Sequence, residues 1–149
     1  MENINTKIID KFCGLLFFLT RSRNEFEMVA DEIEDCGLRT ALNGLSTETN
    51  QFADEISSQL KSLGINPVTK EDYFEDCINK GEDLRQQSGR GRELQTICTE
   101  TEASITSAYS EILEDVPFTT LKEMMTYQLN SLKFAFMKIN MLNSARFAQ

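Results

Sequence analysis

Six side chains of this chain could do chemistry together: Arg23, Glu48, Thr49, Thr101, Glu102 and Gln128. Each interrupts an otherwise apolar helical stripe near its middle. Arg23 stands 13 residues before Cys36 and Glu48 stands 12 after it; Glu102 stands 14 before Val116 and Gln128 12 after it. Folding back at those two points would bring all of them to one level. A layer of two carboxylates, an amide, two hydroxyls and a guanidinium allows three outcomes. Arg23, with five donors, could bridge Glu48 and Glu102 and reach Gln128 in a buried network. It could instead lie at the edge of its stripe and extend to solvent. The third outcome is a degenerate metal or small-ligand site built from Glu48, Glu102 and Gln128. The network is the favoured expectation, and with it a cost of about 3–5 kcal/mol for Arg23→Ala, because both carboxylates would be stranded.

Redox-metal and nucleophilic chemistry are disfavoured by composition. The chain contains no histidine, which excludes a Ser–His or Cys–His dyad. Two carboxylates beside a fixed cation also make a poor cage for iron. No catalytic residue, metal site or cofactor is therefore assigned.

The elements that must position the layer are helices, since apolar residues recur every three and four positions and no β-branched alternation is sustained. The first stripe is Ile8, Phe12, Leu15, Leu19, Phe26, Ala30 and Ile33, closed by Gly37 as a left-handed cap. A second carries Ala41, Leu45, Phe52, Ile56 and Leu63 and stops at Gly64–Pro67. A short helix is expected from about Lys70 to Gln87, with Thr69 as N-cap. Leu94, Cys98, Ile105, Tyr109 and Ile112 follow, then a break at Pro117. The last helix starts near Phe118, with Thr120-x-x-Glu123 as a capping box and Leu121, Met125, Leu132, Ala135, Ile139 and Leu142 as its stripe. Short links between the first two and the last two helices imply antiparallel hairpins. A link of over twenty residues between the hairpins implies a crossover along the bundle. The fold class expected is all-α, a ferritin-like four-helix bundle of two antiparallel hairpins joined by a long crossover containing a short helix, as one domain over residues 1–149.

Net charge is −9 over 149 residues, so nucleic acid and anionic membranes are not expected partners. The one basic cluster, Arg85 to Arg92, is short and reads as a solvated loop. "CGLLFFL", from Cys13, is too short to cross a bilayer. Four cysteines without a CxxC spacing read as reduced thiols of a cytoplasmic protein. "GRGRE" lacks the strand and the Lys-Ser/Thr of a phosphate loop, and "EDYFED" lacks the order of a calcium loop.

A second apolar line runs along the last helix through Tyr127, Phe134 and Met141, flanked by Met137. Phe17 and Met28 take similar outward positions on the first helix. A helix apolar on two faces needs two partners: the crossover helix, through Phe74 and Ile78, is expected to cover some of this surface, and a homo-oligomer or a protein partner the remainder.

"NEFEMVADEIED", "NQFADEISSQLKSLGINP", "TICTETEASITSAYSEIL" and "YQLNSLKFAFMKI" lie in the four long helices. Through them nearly the whole chain resembles an uncharacterised bacterial family of ferritin-like four-helix-bundle proteins, a domain of unknown function. The resemblance implies the bundle fold and no particular activity. Members of that family often carry His late in the fourth helix, where Phe136 stands here. The functional expectation is a non-catalytic bundle, lacking a competent di-iron site, that self-associates or binds a partner.

Overall fold

Stripes of Leu, Ile and Phe at three- and four-residue spacing can be buried only as helix faces, and helices are what they form. The structure is a computed structural model that describes residues 6–65 and 94–147. Within them lie α1 (Thr6–Glu32), α2 (Cys36–Ser62), α3 (Leu94–Asp115) and α4 (Thr119–Phe147), and no strand occurs among the described residues. The expected Lys70–Gln87 helix, its Thr69 cap, Cys77 and the basic Arg85–Arg92 stretch lie outside the described residues.

The ends of α2 show two different ways of closing a helix. Asp35 is its N-cap, in extended conformation, and its Oδ1 accepts from the Leu38 N–H at 2.9 Å. Gly37 is thus inside the first turn of α2 and is not a left-handed cap: the Asp35 carboxylate satisfies an amide that the new helix leaves free. At the other end Gly64 has φ 82. The Ile65 N–H donates to the Leu60 carbonyl at 2.8 Å and the Gly64 N–H to the Lys61 carbonyl at 3.0 Å, the paired bonds of a Schellman motif. That end is the one expected from "LGINP". At the start of α4, Thr120 lies within the first turn, so Thr120 and Glu123 do not occupy capping-box positions; the Phe118 carbonyl takes the Lys122 N–H at 3.0 Å.

Each helix packs against two others. α1 and α4 both lie against α2 and α3, which leaves α1 diagonal to α4 and α2 diagonal to α3. The core between them holds Phe12, Leu15, Leu19 and Phe26 from α1, Leu42, Leu45 and Ile56 from α2, Ile105 and Ile112 from α3, and Leu132, Phe136 and Ile139 from α4. Phe26 and Phe136 meet edge-to-face across the diagonal, 5.8 Å between ring centres. Phe136, 1% exposed, is therefore a core packing residue. Lys11 near the start of α1 pairs with Asp115 at the end of α3, 3.1 Å apart. No helix among the described residues is long and apolar enough to cross a membrane.

Candidate functional site

Gln128 lies at the centre of the bundle with no exposed surface. An amide there must find partners, because burying it unbonded would cost kilocalories. It finds three. The Tyr109 hydroxyl of α3 donates to its Oε1 at 2.9 Å, and its Nε2 donates to Glu55 Oε1 of α2 at 3.0 Å and to the Phe52 carbonyl at 3.4 Å. One side chain thus ties α2, α3 and α4 together. Tyr109 is itself fully buried. Burial, followed by the charges of Glu55 and Glu48, pushes its hydroxyl well above the usual phenol range, so it stays a neutral donor.

Arg23 belongs to a different seam. It is half-buried, donating from Nη1 to Asn50 Oδ1 at 2.8 Å and from Nε and Nη2 to Asn24 Oδ1 at 3.3 and 3.1 Å. Beside it the Ser46 hydroxyl donates to the Arg23 carbonyl at 3.2 Å and lies 3.1 Å from Glu27 Oε1. The expected bridge from Arg23 to Glu48, Glu102 and Gln128 is not formed. The reason is azimuth: Ser46 and Asn50 are the residues of α2 that face α1, whereas Glu48, two positions from each, points about 160° away, at 100° per residue. Glu48 lines the groove between α2 and α4. One of its carboxylate oxygens is buried with no hydrogen-bond partner among the described residues, and burial raises its pKa above the ordinary carboxylate value.

Thr49 is fully buried and turns its hydroxyl onto the Ser46 carbonyl of its own helix, 2.8 Å away. Thr101 and Glu102 are half-buried on α3. Thr101 lines a small cleft against α1 with Arg21, Ser22 and Glu25. Burial, then the charges of Glu25 and Glu102, pushes the Cys98 thiol up to about 12. The six residues therefore divide among separate interfaces. Among the described residues, no three His, Cys, Asp or Glu side chains converge as metal ligands would.

Tyr109, Glu55, Asn50, Ser46 and Glu27 were not singled out by sequence reasoning. A tyrosine within an apolar stripe was the available signal, since a buried hydroxyl needs a partner.

The outward-facing apolar residues separate into two groups. Tyr127, Phe134, Met137 and Met141 of α4 are 67, 64, 50 and 66% exposed, and Met28 of α1 is 41% exposed. Phe17 differs from the expectation: it is buried, with Phe18 beside it at 6.0 Å. α1 packs against two helices, and its buried arc accordingly extends past the main stripe to Cys13, Leu16 and Phe17. Between α2 and α4 runs an open groove of about 670 Å³. Gly37, Thr40, Ala41, Gly44 and Glu48 form one wall; Tyr127, Ser131, Phe134, Ala135 and Lys138 form the other.

No family model matches the chain, and no curated protein or solved structure matches it either.

Proposed function

We propose that this protein is a ferritin-like four-helix bundle without a di-iron centre, acting non-catalytically by associating with itself or with another protein. Four contacts support the arrangement of two antiparallel hairpins: Arg23 to Asn50 and Ser46 to Glu27 between α1 and α2, Tyr109 to Gln128 between α3 and α4, and Lys11 to Asp115 between α1 and α3. In the first and last of these interfaces, early residues of one helix meet late residues of the other. The 28 residues from 66 to 93 are enough chain to return along a helix of 27 residues, about 40 Å at 1.5 Å per residue.

The observation that carries the functional reading is the exposed row on α4. Tyr127, Phe134, Met137 and Met141 are each at least half exposed, while the opposite face of the same helix is already buried in the core. A contiguous apolar surface of this kind marks an interaction site. The occupied centre supports the rest: Gln128 bonds to Tyr109 and Glu55 at the level where a di-metal bundle would place ligands. A net charge of −9 favours a protein partner over nucleic acid, and four thiols with no CxxC suit a bacterial cytoplasm.

The test combines metal analysis and sedimentation. Untagged protein incubated with ferrous iron, manganese and zinc should retain none in stoichiometric amount and should sediment as an oligomer. One or two ions per chain, lost on replacing Glu48 or Glu102, would refute the proposal in favour of a central metal or ligand site.

A further inference from the structure

We propose that a second copy of this chain docks in the α2–α4 groove about a two-fold axis passing near Gly44, so that Glu48 of each copy meets Lys138 of the partner subunit. The inference rests on the self-association reading above and names its surface. Among the described residues two charged ones line the groove, Glu48 and Lys138, each the last groove residue of its own helix. Lys138 is at the Gly37 end. Glu48 is towards the Tyr127 end; Tyr127 and Lys138 stand eleven residues, about 16 Å, apart along α4. A two-fold axis across the groove exchanges its ends, so this polarity is the one that brings unlike charges together twice.

The middle of the groove fits the same operation. Ala41, Gly44 and Ser131 leave a hollow there, and a Cβ added at Gly44 would meet nothing within 4 Å. Phe134 projects beside the hollow, 64% exposed, as a knob for the partner's hollow. Glu48 is half-buried and its carboxylate lines the groove, so the exposed part of that carboxylate can meet the incoming ammonium. The described residues lining the groove carry one charge of each sign on a chain of net charge −9, which favours this face for pairing two copies.

Sedimentation velocity of the full chain over about a hundredfold concentration range tests the assignment through mass action. Glu48→Lys, Lys138→Glu and Gly44→Leu should each weaken the dimer by about tenfold or more. The Glu48→Lys/Lys138→Glu double variant should restore it to within about threefold, since the pairs re-form reversed. Far-UV circular dichroism should be unchanged, as all three positions line an open groove. A wild-type monomer at every concentration overturns both this inference and self-association. A dimer indifferent to all the variants overturns the groove alone and leaves self-association standing. Weakened single variants without rescue in the double overturn the two-fold pairing.

Discussion

Replacing Gln128 with leucine tests the central hydrogen-bond layer most directly. Leucine fills nearly the same volume, so the cavity contribution is small and the loss falls on polar groups. The Tyr109 hydroxyl, fully buried, loses its acceptor, at about 1–3 kcal/mol for an unsatisfied buried group. Glu55 is half-buried and can turn to water, adding about 0.5 kcal/mol. Gln128→Leu should therefore destabilise by about 1.5–3.5 kcal/mol, a large share of the 5–15 kcal/mol typical of a domain. Tyr109→Phe leaves the amide oxygen without its donor and should cost about 1–2 kcal/mol. Removing both partners strands neither, so the double variant should be about 1–2 kcal/mol less destabilised than the singles summed. Urea unfolding followed by far-UV circular dichroism at one fixed protein concentration measures the cycle, because association would otherwise shift the midpoint. Additivity within about 0.5 kcal/mol, or a Gln128→Leu variant more stable than wild type, would refute the reasoning.

Arg23→Ala should cost only about 0.5–1.5 kcal/mol by the same urea assay, because Arg23 binds the neutral Asn50 and Asn24 and strands no carboxylate when removed. A loss of 3 kcal/mol or more would restore the ionic network expected from sequence. Asp35→Ala should lower stability by about 1 kcal/mol through loss of the α2 cap, and Asp35→Asn should recover most of it. Thiol labelling of native protein near neutral pH should modify Cys36, which is exposed, and spare Cys13 and Cys98, which are buried. Cys98 titrates near 12 in the folded chain against an ordinary 9.0, so the folded state holds its proton more tightly than the unfolded state does. Its contribution to stability is fully present below pH 9 and is lost as pH rises towards 12. Loss of one fast-labelling equivalent in Cys36→Ser, with Cys98 labelled only in urea, is the expected result.

The helices were legible because their cause is local. Spacing located all four, and "LGINP" located the end of α2, since only glycine readily takes the φ of Gly64. The first turn was misread at Gly37 because two signals compete within three residues. A glycine can end a helix and an aspartate can begin one, and Asp35 prevails because its carboxylate meets the Leu38 amide. Phe17 was misplaced because the width of a buried arc depends on how many neighbours a helix has, and one stripe does not record that. Tyr127, Phe134 and Met141 are exposed as their seven-residue spacing off the core stripe implies, and Met137 beside them is exposed too.

The central layer shows what a level alone leaves open. Counting residues from a turn estimates the height of a side chain on its helix, and Gln128 shows how coarse that is, since its partners Tyr109 and Glu55 each stand seven residues from Glu102 and Glu48. Contact also requires azimuth, which changes by about 100° with each residue. α2 presents Ser46 and Asn50 to α1, and it presents Glu48 to the α2–α4 groove. A residue on one of those faces cannot serve the other. The polar groups at mid-height therefore separate into a seam joining α1 to α2, a node at Gln128 joining α2, α3 and α4, and one carboxylate facing the groove. The first two fix how neighbouring helices slide against each other, because each bond is satisfied at one register only. Glu48 joins neither of them and lines the α2–α4 groove instead, where one of its oxygens is buried with no hydrogen-bond partner among the described residues.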